Sequence, residues 1–72
     1  MTNRYDLTPH EVAILKLLAD DHSTAQLSQV LMVREETARQ QVAKVLTKLG
    51  ADTEGQAVAR AITERIIGPF AD

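Results

Sequence analysis

The sequence has no cysteine and no tryptophan, and its aromatic residues are a single tyrosine, Tyr5, and a single phenylalanine, Phe70. Without cysteine there is neither a disulfide nor a thiolate metal site. That composition suits a reducing compartment, read here as the cytoplasm. Two rings are too few to form the stacking platforms on which single-stranded nucleic acid is bound. No apolar run approaches the roughly 18 residues of a membrane span, and the polar start, residues 1–6, lacks the apolar stretch of a signal peptide. The two histidines, His10 and His22, have no second ligand at metal spacing. No Ser–His–acid or Cys–His set can be assembled, and adjacent Glu35 and Glu36 point in different directions on a helix. An enzyme is therefore not expected, nor a metal, a cofactor or a membrane. Positive charge is also scarce: 8 Lys plus Arg against 10 Asp plus Glu give a formal net charge of −2. Taken as a sum, that charge speaks against a polyanionic partner.

What is present is helix punctuation. The 72 residues suffice for one domain, residues 1–72, with a thin core, so local signals carry much of its specification. Thr8-Pro9-His10-Glu11 reads as a capping box with proline at the first helical position, and Leu7 and Val12 are placed for a hydrophobic staple. Ser23-Thr24-Ala25-Gln26 is a second box and Thr53-Glu54-Gly55-Gln56 a third. Gly68 and Pro69 stop the last helix. These signals predict helices over 9–20, 24–31, 34–49 and 54–67, with frayed residues at 1–6 and 69–72. On the longest helix, Ala38, Val42, Val45, Leu46 and Leu49 fall on one apolar stripe at about 100° per residue. Glu36, Gln40, Ala43, Lys44 and Thr47 fall opposite, with Arg39 and Lys48 on the flanks. No alternating run predicts a strand. The fold class is all-α, a four-helix bundle.

The net charge is unevenly placed. Residues 34–48 carry four basic side chains, Arg34, Arg39, Lys44 and Lys48, against Glu35 and Glu36, a local +2 that leaves −4 elsewhere. The fourth helix carries more apolar surface than one face of a short helix needs. Ala57 and Ala61, four residues apart, are small enough for two helices to approach closely, as a two-fold dimer requires, or simply to pack in the core.

A short helix, a tight turn at Leu31-Met32-Val33 and a longer helix form the helix-turn-helix order. With Leu7-Thr8-Pro9-x-Glu11, Ile14-Leu15-x-Leu17-Leu18-Ala19, Leu27, Leu31, Thr37, Lys48-Leu49-Gly50 and Ala57-Val58, the sequence resembles the LuxR/GerE-type DNA-binding domain of bacterial transcription factors. The match runs without a gap from Leu7 to about Ile67.

The resemblance implies sequence-specific binding of double-stranded DNA by a transcriptional regulator, with the third helix in the major groove. By position in the family motif, Arg39, Gln40 and Ala43 are expected at base edges, and Thr37, Lys44 and Lys48 at phosphates. A homodimer through Ala57, Val58, Ala61, Ile62 and Arg65 of the fourth helix is expected, with RNA polymerase as a further partner. The residues themselves agree for Gln40, which lies directly opposite the core stripe.

Several positions depart from the family pattern. Arg34 stands where the third helix usually has a Ser or Thr cap. Glu36 and Glu54 replace neutral or basic residues, Gln41 a histidine, and Met32 and Asp21 turn glycines. Those departures keep open a second reading, a helix-turn-helix turned protein-interaction or dimerisation module. The sigma-factor helix-turn-helix that reads promoter DNA is a third.

Overall fold

Three of the four helices begin with a side-chain cap and all four end in the same turn. In the computed structural model, which describes residues 5–68, they are α1 (Pro9–Ala19), α2 (Thr24–Leu31), α3 (Glu35–Leu49) and α4 (Glu54–Thr63). No strand occurs among the described residues. The ends at 1–4 and 69–72, and with them the stop expected from Pro69, lie outside the described residues.

The boxes at Thr8 and Ser23 form in full. Thr8 Oγ1 accepts from the Glu11 amide while Glu11 Oε1 accepts from the Thr8 amide, and Ser23 and Gln26 exchange the same pair. The third box is only half made. Thr53 Oγ1 accepts from the Gln56 amide, but Gln56 Oε1 reaches past it to the Asp52 amide. At α3 the cap position is Arg34, which has an extended backbone and no side-chain hydrogen bond, so the helix starts at 35 rather than 34.

Each helix closes with two crossed backbone bonds around one left-handed residue, the Schellman arrangement. In α2 the Val33 amide donates to Ser28 O and the Met32 amide to Gln29 O. The same pattern surrounds Asp21, Gly50 and Arg65. Only one of these four positions is glycine. The last turn explains why α4 ends at Thr63 and not at 67. Arg65 adopts φ 60°, the Ile66 amide folds back to Ala61 O, and Ile67 is turned into the core, where it is 2% exposed. Apolar residues at 66 and 67 that continue the helical period serve this return of the chain instead.

α2 packs on α3 to form the helix-turn-helix, while α1 and α4 pack on each other and on α3. The core is made by Ile14, Leu15, Leu27, Val45, Leu49 and Ile67, with Ala57 and Ala61 at the closest approach of α4. Burial of one such Leu or Ile side chain stabilises by about 1.5–3 kcal/mol. Tyr5 is not frayed: it packs against this cluster and donates from its hydroxyl to Glu64 Oε2 at 3.2 Å.

Candidate nucleic-acid interface

The two sides of α3 are sharply divided. Ala38, Val42, Val45 and Leu49 are buried and Leu46 packs against the core, as the apolar stripe predicts. Glu36, Arg39, Gln40, Ala43, Lys44 and Thr47 are exposed, and Thr37 is half-buried beside them. Arg39, Gln40 and Ala43, the positions expected at base edges, thus share one open surface with Lys44. Arg39 lies along the helix, its Nη2 3.0 Å from Glu35 Oε2. With side chains 63% and 48% exposed, this pair is worth only about 0.3–0.5 kcal/mol. The arginine is held lightly and is available to a stronger acceptor. Gln41, at the edge of this surface, accepts from the His10 imidazole at 3.0 Å, a strut from α1 to α3.

Lys48 does not belong to this surface. Its Nζ donates to Glu11 Oε1 at 2.7 Å and to the Asp6 carbonyl at 3.1 Å, tying the last turn of α3 to the start of α1. Glu11 is the one charged residue buried among the described residues. Burial pushes its carboxyl up, but the Lys48 hydrogen bond, the Thr8 amide and the Lys48 charge outweigh that and hold it below its ordinary value. Lys48, expected at a phosphate, is thus held as the partner of a buried carboxylate.

The expected dimer set divides in the same way. Ala57 and Ala61 are 0% exposed, buried against the chain's own core, and so cannot meet a second copy. Their small size serves the approach of α4 to its own neighbours. Val58 is half-buried, Ile62 is exposed, and Arg65 is exposed in the turn beyond α4 rather than on the helix. Only these last three reach the surface.

With Lys48 withdrawn, the charges open on α3 and its cap are Arg34, Arg39 and Lys44 against Glu35 and Glu36. Residues 5–61 match the family described as bacterial regulatory proteins, luxR family. The chain belongs to the luxR family. Its class is that of a DNA-binding regulator and not an enzyme. It is also 33% identical over 63 residues to the transcriptional activator protein BjaR1 of Bradyrhizobium diazoefficiens, a match covering 88% of this chain. The chain spans only 26% of that relative's length. Among the described residues no helix of this luxR-family domain is long and apolar enough to cross a membrane.

One functional contact has no signal in the sequence. Glu11 reads as the return arm of a capping box, and nothing local announces that its carboxylate also receives a lysine 37 residues away. The Glu35–Arg39 pair is different: the i,i+4 spacing of opposite charges was a legible signal for it.

Proposed function

We propose that this domain binds double-stranded DNA sequence-specifically, with the exposed face of α3 in the major groove, as the reading head of a cytoplasmic bacterial transcriptional regulator. The observation that carries the proposal is the joint exposure of Arg39, Gln40, Ala43 and Lys44 on one face of the second helix of a helix-turn-helix. Arg39 pairs with guanine O6 and N7, Gln40 with adenine N6 and N7, and the Ala43 methyl packs on thymine. A bidentate pair discriminates by about 1–3 kcal/mol. That exceeds the few tenths holding Arg39 to Glu35, so DNA wins the arginine. Thr37 and Lys44 contact phosphate, which positions without specifying.

Three cations against two carboxylates leave few phosphates neutralised, so one copy binds weakly. Two copies joined through Val58, Ile62 and Arg65 raise the affinity by tethering two reading helices. The relative named as a transcriptional activator motivates the same role here, with RNA polymerase as the protein partner.

Fluorescence anisotropy on matched and random duplexes tests the assignment. Gln40→Ala lowers discrimination between sequences, whereas Lys44→Ala weakens all duplexes alike and reduces the salt slope by about 1. Equal loss on every duplex from both variants removes the base-reading role. The near-balanced charge of α3 favours one second reading, a protein-interaction module. A tight dimer in sedimentation that ignores DNA at low salt would establish it.

A further inference from the structure

The first turn of α3 holds two adjacent carboxylates with different fates. Arg39 takes Glu35, one turn before it, at 3.0 Å. Glu36 is exposed, and its carboxylate makes no hydrogen bond or ion pair among the described residues. It stands one turn before Gln40 on the same open face. An unpaired carboxylate brought between two phosphate strands is repelled unless it receives a hydrogen bond there. It can only accept.

In the major groove the donors are the exocyclic amines of cytosine and adenine; guanine and thymine present acceptors at their edges. Adenine places N7, a second acceptor, beside its amine, where it opposes the other carboxylate oxygen. Cytosine has no acceptor beside N4 on that edge. The residues of a helix-turn-helix that reach base edges lie toward the N-terminus of the second helix, where Glu36 sits.

We infer that Glu36 is a specificity-determining residue that accepts from the N4 amine of a cytosine, selecting a C·G pair beside the position read by Gln40. Cβ atoms one helical turn apart are about 5–6 Å from each other. At about 3.4 Å per base step, the two positions read are one to two base pairs apart. The inference rests on the DNA-binding reading above and adds to it a base, a residue and a spacing. It also gives the negative charge of the recognition surface a use: Glu36 repels every duplex that lacks the cytosine, so it trades affinity for selectivity.

The test is selection of duplexes from a randomised library by the full chain and by its Glu36→Ala and Glu36→Gln variants. It is followed by anisotropy on the selected duplex and its single-pair variants at low salt, with folding checked by circular dichroism. The wild type selects a C·G pair one or two steps from the Gln40 position and loses about tenfold or more when that pair becomes T·A. Glu36→Ala loses that preference alone and tightens on the mismatched duplexes. Glu36→Gln shifts the preference to adenine. A selected sequence unchanged in both variants, with every duplex bound tighter by one common factor, overturns the inference and leaves the DNA-binding reading standing. A folded wild-type chain that selects nothing overturns both.

Discussion

The two ends of α3 put similar residues to opposite uses. At its C-terminal end Leu49 is buried, Gly50 takes the left-handed turn at φ 66°, and Lys48 bonds Glu11 and the Asp6 carbonyl. At its N-terminal end Arg34 caps without a side-chain bond, Glu36 has no partner among the described residues, and Arg39 lies in an exposed pair. Burial separates the two. A carboxylate at 8% side-chain exposure must be paired, and it binds its lysine to the fold, whereas at 48% exposure water screens the pair and leaves the arginine available. Counting basic residues along the helix therefore overstates the charge offered to a ligand.

The strongest way to break this contrast is to remove Lys48. Lys48→Ala leaves the Glu11 carboxylate buried without its cation and is expected to cost about 1–3 kcal/mol in urea unfolding. Lys44→Ala, on the open face, stays within about 0.5 kcal/mol. Equal costs would show that the two ends do not differ. The same pair fixes a pH dependence. The Glu11 carboxyl titrates lower in the folded chain than in the unfolded one, so the unfolded state binds the proton first as pH falls. The stabilisation is complete above the ordinary carboxylate pKa and is lost as pH drops through the lowered folded value. Thermal melts from neutral to strongly acidic pH should show this loss in the wild type and a flatter acid limb in Lys48→Ala.

At the other end, Arg34→Ser supplies the missing cap and should raise stability by about 1 kcal/mol. No gain in a thermal melt would mean that the first amides of α3 are already satisfied. A smaller effect is expected in the turn between α2 and α3. Met32 is 90% exposed and held at φ 58°, a conformation that glycine adopts without strain. Met32→Gly should stabilise by roughly 0.5–1 kcal/mol, the relief of strain being partly offset by the greater freedom of glycine in the unfolded chain.

The starts of the helices were legible because capping is local: Thr8 and Glu11, or Ser23 and Gln26, are three residues apart and announce themselves. The apolar stripe of α3 was legible for the same reason, since Ala38, Val42, Val45 and Leu49 repeat at the helical period. The end of α4 was not. Ile66 and Ile67 continue that period, and only the left-handed turn at Arg65, a residue without glycine's signature, reveals that the chain folds back. Ala57 and Ala61 were ambiguous in principle, because small residues suit a close helix contact whether the neighbour belongs to the same chain or to another. In the sequence Lys48 reads as a surface cation because its partner is supplied by the packing of α1 on α3, which no local pattern encodes.

On the function proposed above, the open face of α3 reads double-stranded DNA while the buried side and the C-terminal turn serve the fold. Titrating the folded chain with a selected duplex and with a random duplex, across a range of salt, tests it most directly. Binding should be tighter to the selected duplex and decline shallowly with salt, of the few-phosphate kind expected at about −0.9 per phosphate neutralised. A folded chain with no affinity for either duplex at the lowest salt, or with equal affinity for both, would contradict it.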